Sequence, residues 1–217
     1  MLNYYYIVTF LGLWHLLFLG FCRLINDNLS KNIVHFIHAL IFVFYYNTNY
    51  DKSYLIDLSS SFYIYDLFYI ILQIIQLKSS IYTQGPFVVH HIIAIYGLHL
   101  SSLHTLSKFI LKIYYILENS NFMLYIAYHV NKTCKKDTYF VKFVELVQYL
   151  WYTYFRVVYF TLFIISNINT IVAHKDIVPH IVLIILYSMG LFWSYKLFIK
   201  NTQNFALITK EIKPKIE

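Results

Sequence analysis

The chain has 217 residues, of which 59% are hydrophobic and only 12% charged, against about a quarter charged in an ordinary soluble domain. Too little polar material is left to cover a water-facing globule, so the fold class expected is all-α, a multi-pass bundle of transmembrane helices in lipid. The formal charge of +7 does not point to nucleic acid, because the basic residues sit between apolar runs, where they set topology.

A spanning helix needs about 20 mostly apolar residues, and about seven segments qualify: 4–22, 33–50, 61–78, 86–104, 107–128, 140–166 and 178–199. The second is the weakest, because its cleanly apolar part stops near Tyr46, so a short re-entrant segment is an alternative there. Arg23 and Lys31 follow the first segment, Lys78 the third, Lys132, Lys135 and Lys136 the fifth, and Lys200, Lys210, Lys213 and Lys215 the last. The opposite side holds Lys52 beside Asp51 and Asp57, then Lys108, then Lys175 beside Asp176. This bias predicts an N-terminus outside or in the lumen and a cytoplasmic C-terminus, which requires an odd number of spans. No basic region precedes the first apolar stretch, so it reads as a retained helix and not as a cleaved signal.

The expected organisation is an N-terminal helix and loop over 1–30, a membrane domain over 31–200 and a basic cytoplasmic tail over 201–217. That tail ends Lys213-Pro214-Lys215-Ile216-Glu217, with lysines placed as in a dilysine retrieval address for the endoplasmic reticulum. The 23 Tyr and 19 Phe accompany many Ile, Asn and Lys, a compositional bias that makes single Tyr and Asn residues background. Cys22 and Cys134 are far apart and beside basic residues, which suits neither a disulfide framework nor a thiolate metal site.

Ionisable groups within a span are costly and are candidate functional residues by default. Glu118 lies mid-segment, with Asn121 and Tyr125 on its helical face. His90 and His91 follow Gly85-Pro86 and point about 100° apart, so one is expected to act while the other hydrogen-bonds a neighbour. Asp66 heads a stripe continued by Tyr69, Gln73 and Gln76, and Arg156 lies within the sixth segment. A structural pairing of Arg156 with Asp66 or Glu118 is the bland alternative for these two charges. His35 and His38 share a helix face, but no compact H-x-x-H-H cluster exists, so no metal is expected among the ten histidines.

Three stretches carry a resemblance: Tyr63-Ile64-Tyr65-Asp66-Leu67, Val89-His90-His91-Ile92-Ile93, and Leu117-Glu118-Asn119-Ser120-Asn121-Phe122. Together with Gly190-Leu191-Phe192-Trp193 and the basic run after it, the chain over roughly 30–200 resembles the TLC domain family. That family includes ceramide synthases and smaller proteins implicated in membrane lipid composition. The resemblance implies a role in lipid homeostasis, with acyl transfer from acyl-CoA, as co-substrate, to the amine of a long-chain base. The synthase motif has a His pair, then His-Asp and a second Asp three residues later. Here the pair is His90 and His91, the first Asp is Glu118, and Leu117 and Asn121 stand where His and Asp would be. The small family members are the nearer pattern.

Two readings follow. In the first, His90 or His91 is general base or nucleophile for N-acylation, Glu118 orients the imidazole and Asn121 bonds a carbonyl or head group. With these boundaries His90 stands ~6 Å and Glu118 ~15 Å above the cytoplasmic helix ends. In the second, the same polar residues bind or sense membrane lipids without catalysis. No cofactor is expected to be bound in either.

Overall fold

The computed structural model describes residues 2–48, 51–103, 107–135, 138–173 and 177–212. The expected retrieval lysines Lys213 and Lys215, and Lys136, His104, His174, Lys175 and Asp176, lie outside the described residues. Among the described residues the secondary structure is helical throughout: α1 Tyr4–Cys22, α2 Asp27–Tyr46, α3 Ser53–Ile75, α4 Ile81–Leu103, α5 Ser107–Thr133, α6 Tyr139–Thr153, α7 Phe160–Ser166, α8 Ile168–Ala173 and α9 Ile177–Ile212, with a π-helical turn over Tyr154–Tyr159 between α6 and α7. All seven expected segments are helical, and Tyr4–Cys22, Asp27–Tyr46, Ser53–Ile75 and Ile177–Gln203 are long and apolar enough to cross a membrane by length and composition.

Boundaries shift where side chains cap the ends. α2 begins at Asp27 instead of Ile33, because Asn26 accepts from the Leu29 amide at 3.0 Å and Asp27 complements the helix dipole. Its last carbonyls are met by Lys52, whose Nζ donates to Tyr45 O at 3.0 Å and Tyr46 O at 2.8 Å. α2 thereby becomes a 20-residue helix, long enough to span, which the sequence left open. α3 starts eight residues before Ser61, where Asp51 accepts the Ser53 amide at 2.9 Å and its hydroxyl at 2.8 Å. Those bonds hold the Asp51 carboxyl below the usual carboxylate range. α3 ends in a Schellman turn, Leu77 N to Ile74 O and Lys78 N to Gln73 O, both 3.0 Å. Leu77 occupies the left-handed position there, at φ 55°. α4 runs through Pro86, starting at Ile81 behind Ser80, which accepts the Tyr82 amide at 3.2 Å.

The chain forms two compact units, Met1–Glu118 and Asn119–Glu217, with the boundary inside α5. In the first unit α3 is central, packed on α1, α2 and α4. Its Ser59, Ser60 and Ser61 are fully buried; such small side chains let helix backbones approach closely in a membrane. Trp14 of α1 is buried on this surface, donating to Ser61 Oγ at 3.1 Å and lying edge-on to Phe62. Phe42, Leu55, Ala94, Leu98, Leu111 and Tyr114 complete the core.

In the second unit α9 runs antiparallel to α6 and the π-turn. The register reads Tyr187 on Thr161 at 2.8 Å, Gly190 against Arg156, Ser194 on Thr153 at 2.6 Å, and Asn201 near Glu145. A β-carbon on Gly190 would stand 3.3 Å from Arg156 O, so the contact depends on glycine. Lys200 reaches the buried Glu145 at 2.6 Å.

Candidate functional site

Polar side chains of three helices meet inside the first unit. Lys31, His35 and His38 recur at four and three residues along α2 and so share a face. Tyr63 and Asp66 are one turn apart on α3, and His91 stands ten residues into α4. Asp66, only 2% exposed, is the hub: Oδ1 lies 3.0 Å from Lys31 Nζ and 3.0 Å from His35 Nε2, and Oδ2 lies 2.8 Å from His91 Nε2. A buried carboxylate so surrounded is compensated on both oxygens.

The hydrogen-bond geometry of His91 constrains its protons. Nδ1 lies 2.6 Å from Phe87 O, a carbonyl that only accepts, so Nδ1 carries a hydrogen. Nε2 lies 2.8 Å from Asp66 Oδ2. His91 is thus held at Nδ1 by the α4 backbone, with Nε2 beside the Asp66 carboxyl.

A second carboxyl stands nearby. Glu118, 2% exposed, accepts from the Tyr63 hydroxyl, and its other oxygen is 3.9 Å from His38 Nδ1. His38 in turn lies 3.1 Å from Ser59 Oγ and stacks on Phe62 at 3.9 Å between ring centroids. The Tyr63 ring meets His91 edge-on at 5.5 Å and His90 at 6.4 Å, bridging the two clusters. His90, half-buried, is itself edge-on to His91 at 5.5 Å. Beside Asp66 opens a small cleft lined by Phe18, Lys31, Val34, His35, Phe62, Tyr65 and Tyr69.

Four expected residues of the first unit, Asp66, His90, His91 and Glu118, thus fall in one neighbourhood. The place beside His91 that the sequence reserved for Glu118 is held by Asp66, and Glu118 lies 3.9 Å from His38 Nδ1. Lys31 and His35 were not among the expected site residues: Lys31 fell before the expected start of α2, and His35 was weighed with His38 only as a metal ligand. Their signal was the four-residue spacing that puts Lys31 one turn before His35.

The second unit holds Arg156, Asn121 and Tyr125. Arg156, on the π-turn and 6% exposed, donates through Nε to Ser120 Oγ at 2.7 Å and through Nη2 to Asn121 Oδ1 at 3.3 Å. Its guanidinium lies over the Tyr152 ring at 5.5 Å. The cationic partner of Asp66 is accordingly Lys31, where the sequence had proposed Arg156 as one option. Tyr125 is half-buried. Among the described residues no three His, Cys, Asp or Glu side chains are grouped to hold a metal ion, and Cys22 and Cys134 are free thiols.

A family model for the TLC domain matches residues 1–199. Searches of curated proteins and of solved structures return no match.

Proposed function

Because this chain belongs to the TLC domain family, a membrane family of lipid metabolism or homeostasis, we propose that it transfers an acyl group from acyl-CoA to the amine of a long-chain base. The observation that carries the reading is the buried Asp66–His91 pair directly beside the half-buried His90. With Nδ1 bonded to Phe87 O and Nε2 against Asp66, His91 is the positioning ring, and His90 is the ring assigned to act. His90 takes one proton from the substrate ammonium, and the freed amine attacks the thioester carbonyl. A C–N bond forms and the C–S bond breaks. The departing thiolate takes the proton lost from the attacking nitrogen, so amide and free coenzyme A leave together. In this reading Glu118 holds Tyr63 beside both imidazoles.

The proposed setting is a multi-pass protein of the endoplasmic reticulum, with the N-terminus lumenal and the site opening toward the cytoplasmic, acyl-CoA-bearing side. The charge bias of the connecting segments supports this orientation. The test is an acyl-CoA plus sphingoid-base assay on purified protein. Amide product should form with wild type and vanish with His90→Ala and His91→Ala at unchanged expression. A folded wild type that makes none defeats the transferase reading.

That outcome would favour a second reading, a non-catalytic lipid-binding or lipid-regulating protein. Two observations support it: Leu117 and Asn121 stand at motif positions filled by His and Asp in the synthases, and Lys31 already neutralises Asp66 within the chain.

A further inference from the structure

We infer that Asp66 anchors a subsite for the primary ammonium group of a single-chain amphiphile, and that Lys31 fills this subsite until such a lipid displaces it. The Lys31 ammonium is the occupant on view: Nζ is 3.0 Å from Asp66 Oδ1 and 5.1 Å from the centroid of the Tyr69 ring. A carboxylate with an aromatic face beside it is the chemistry that selects a desolvated ammonium. Phe18, Val34, Phe62 and Tyr65 supply apolar walls to the same cleft, whose room for the first methylenes of a chain is the space the Lys31 stem vacates.

Three features make Lys31 replaceable. Its side chain is 25% exposed while that of Asp66 is 3% exposed, so the cation and not the anion has somewhere to go. It sits in the fifth position of α2, close enough to the helix end to withdraw its charge to the interface by extending its stem. Its departure does not strand the carboxylate, because His35 stays on Oδ1 at 3.0 Å and His91 on Oδ2 at 2.8 Å. The subsite is therefore preorganised by groups other than the one that leaves.

Charge selects the ligand class. Exchanging one ammonium for another leaves the net charge of the cluster unchanged, whereas a phosphate would be brought against a buried carboxylate. Depth selects further. Asp66 stands nine residues before the end of α3, about 14 Å along its axis. A phosphate-bearing ethanolamine head group would have to bury its phosphodiester to reach it; a long-chain amine would not. The inference rests on the acyl-transfer reading only in making this the acceptor site, and binding is tested without acyl-CoA, so either can fail alone.

The experiment measures binding of radiolabelled octadecylamine to the purified full chain in detergent, with octadecanol as the uncharged comparator of equal length. If Lys31 occupies the subsite nine-tenths of the time, Lys31→Met should tighten octadecylamine binding about tenfold and leave octadecanol unaffected. Lys31→Arg, a cation with a more rigid fork for the carboxylate, should weaken amine binding below wild type. Asp66→Asn should abolish the preference for amine over alcohol. Because that variant loses a buried charge and could misfold, the Lys31 pair decides the matter: Lys31→Met binding no more tightly than wild type, or octadecanol binding as well as octadecylamine, overturns the proposal.

Discussion

Gly97→Ala should report most directly on how α4, and with it His91, is seated. Gly97 lies fewer than two turns beyond His91. Its α-hydrogen faces Tyr114, a buried α5 side chain whose hydroxyl donates to Ala94 O. A methyl at Gly97 would stand 2.6 Å from Tyr114 Oη and 3.4 Å from its Cε2. The hydroxyl must then move. Overpacking of this kind costs about 1–3 kcal/mol, and losing the hydroxyl's hydrogen bond costs about 1 kcal/mol more. Alanine returns about 1 kcal/mol over glycine inside a helix. The net is a destabilisation of about 2 kcal/mol, or ~4–8 °C in unfolding midpoint at 2–4 °C per kcal/mol for a chain of this size. In a Tyr114→Phe background the nearest atom is the ring carbon at 3.4 Å, an ordinary contact, so the helix gain prevails and Gly97→Ala should raise the midpoint. Thermal unfolding of the four proteins in one detergent, followed by size-exclusion recovery, measures both effects. An equal loss in both backgrounds would refute the argument, since the hydroxyl would then not be the obstacle.

Leu77→Gly should stabilise the protein by about 1 kcal/mol, because the left-handed position at the end of α3 penalises any side chain, and Leu77 is 92% exposed and has no packing to lose; a lowered midpoint in the same assay would contradict this. Tyr63→Phe removes the phenol donor from a buried carboxyl and should cost about 1–3 kcal/mol. Glu118→Gln keeps an acceptor for that hydroxyl and should cost less, while acyl transfer is lost if the ionised form is required; the order of the two midpoints checks the geometry. Cys134 is exposed on the connection after α5, and the expected orientation puts it in the cytoplasm. A membrane-impermeant maleimide should label it in cells only after the plasma membrane is opened, and labelling from the lumen of sealed microsomes would reverse the topology.

Helix existence was legible because it is a local property. A run of about 20 apolar residues has one stable solution in lipid, and each of the seven expected segments is mainly helical among the described residues. Their ends were less legible, since each depends on a polar side chain placed outside the apolar run: Asn26 for α2, Asp51 for α3 and Ser80 for α4. Hydropathy discounts those residues as loop. The error had a functional consequence, because starting α2 after Lys31 kept Lys31 off the face shared by His35 and His38. The π-turn at Arg156 was not expected either. Its sequence, Tyr154 to Tyr159, has no Gly or Pro to mark an extra residue in the helix, and it coincides with the place where Gly190 brings the α9 backbone onto Arg156.

By itself the sequence determined that this is an all-helical membrane protein of the TLC domain family, and that Asp66, His90, His91, Glu118 and Arg156 are the ionisable groups to explain. It could do so because the cost of burying charge in lipid marks such residues wherever they occur. Which of them pair was decided only by the tertiary structure. Asp66 and His91 are 25 residues apart, and their contact depends on the rotational phase and depth of α3 and α4 together. Those two quantities come from helix–helix packing, such as the buried Ser59, Ser60, Ser61 and Trp14 on α3's surface, and no local pattern of residues encodes them.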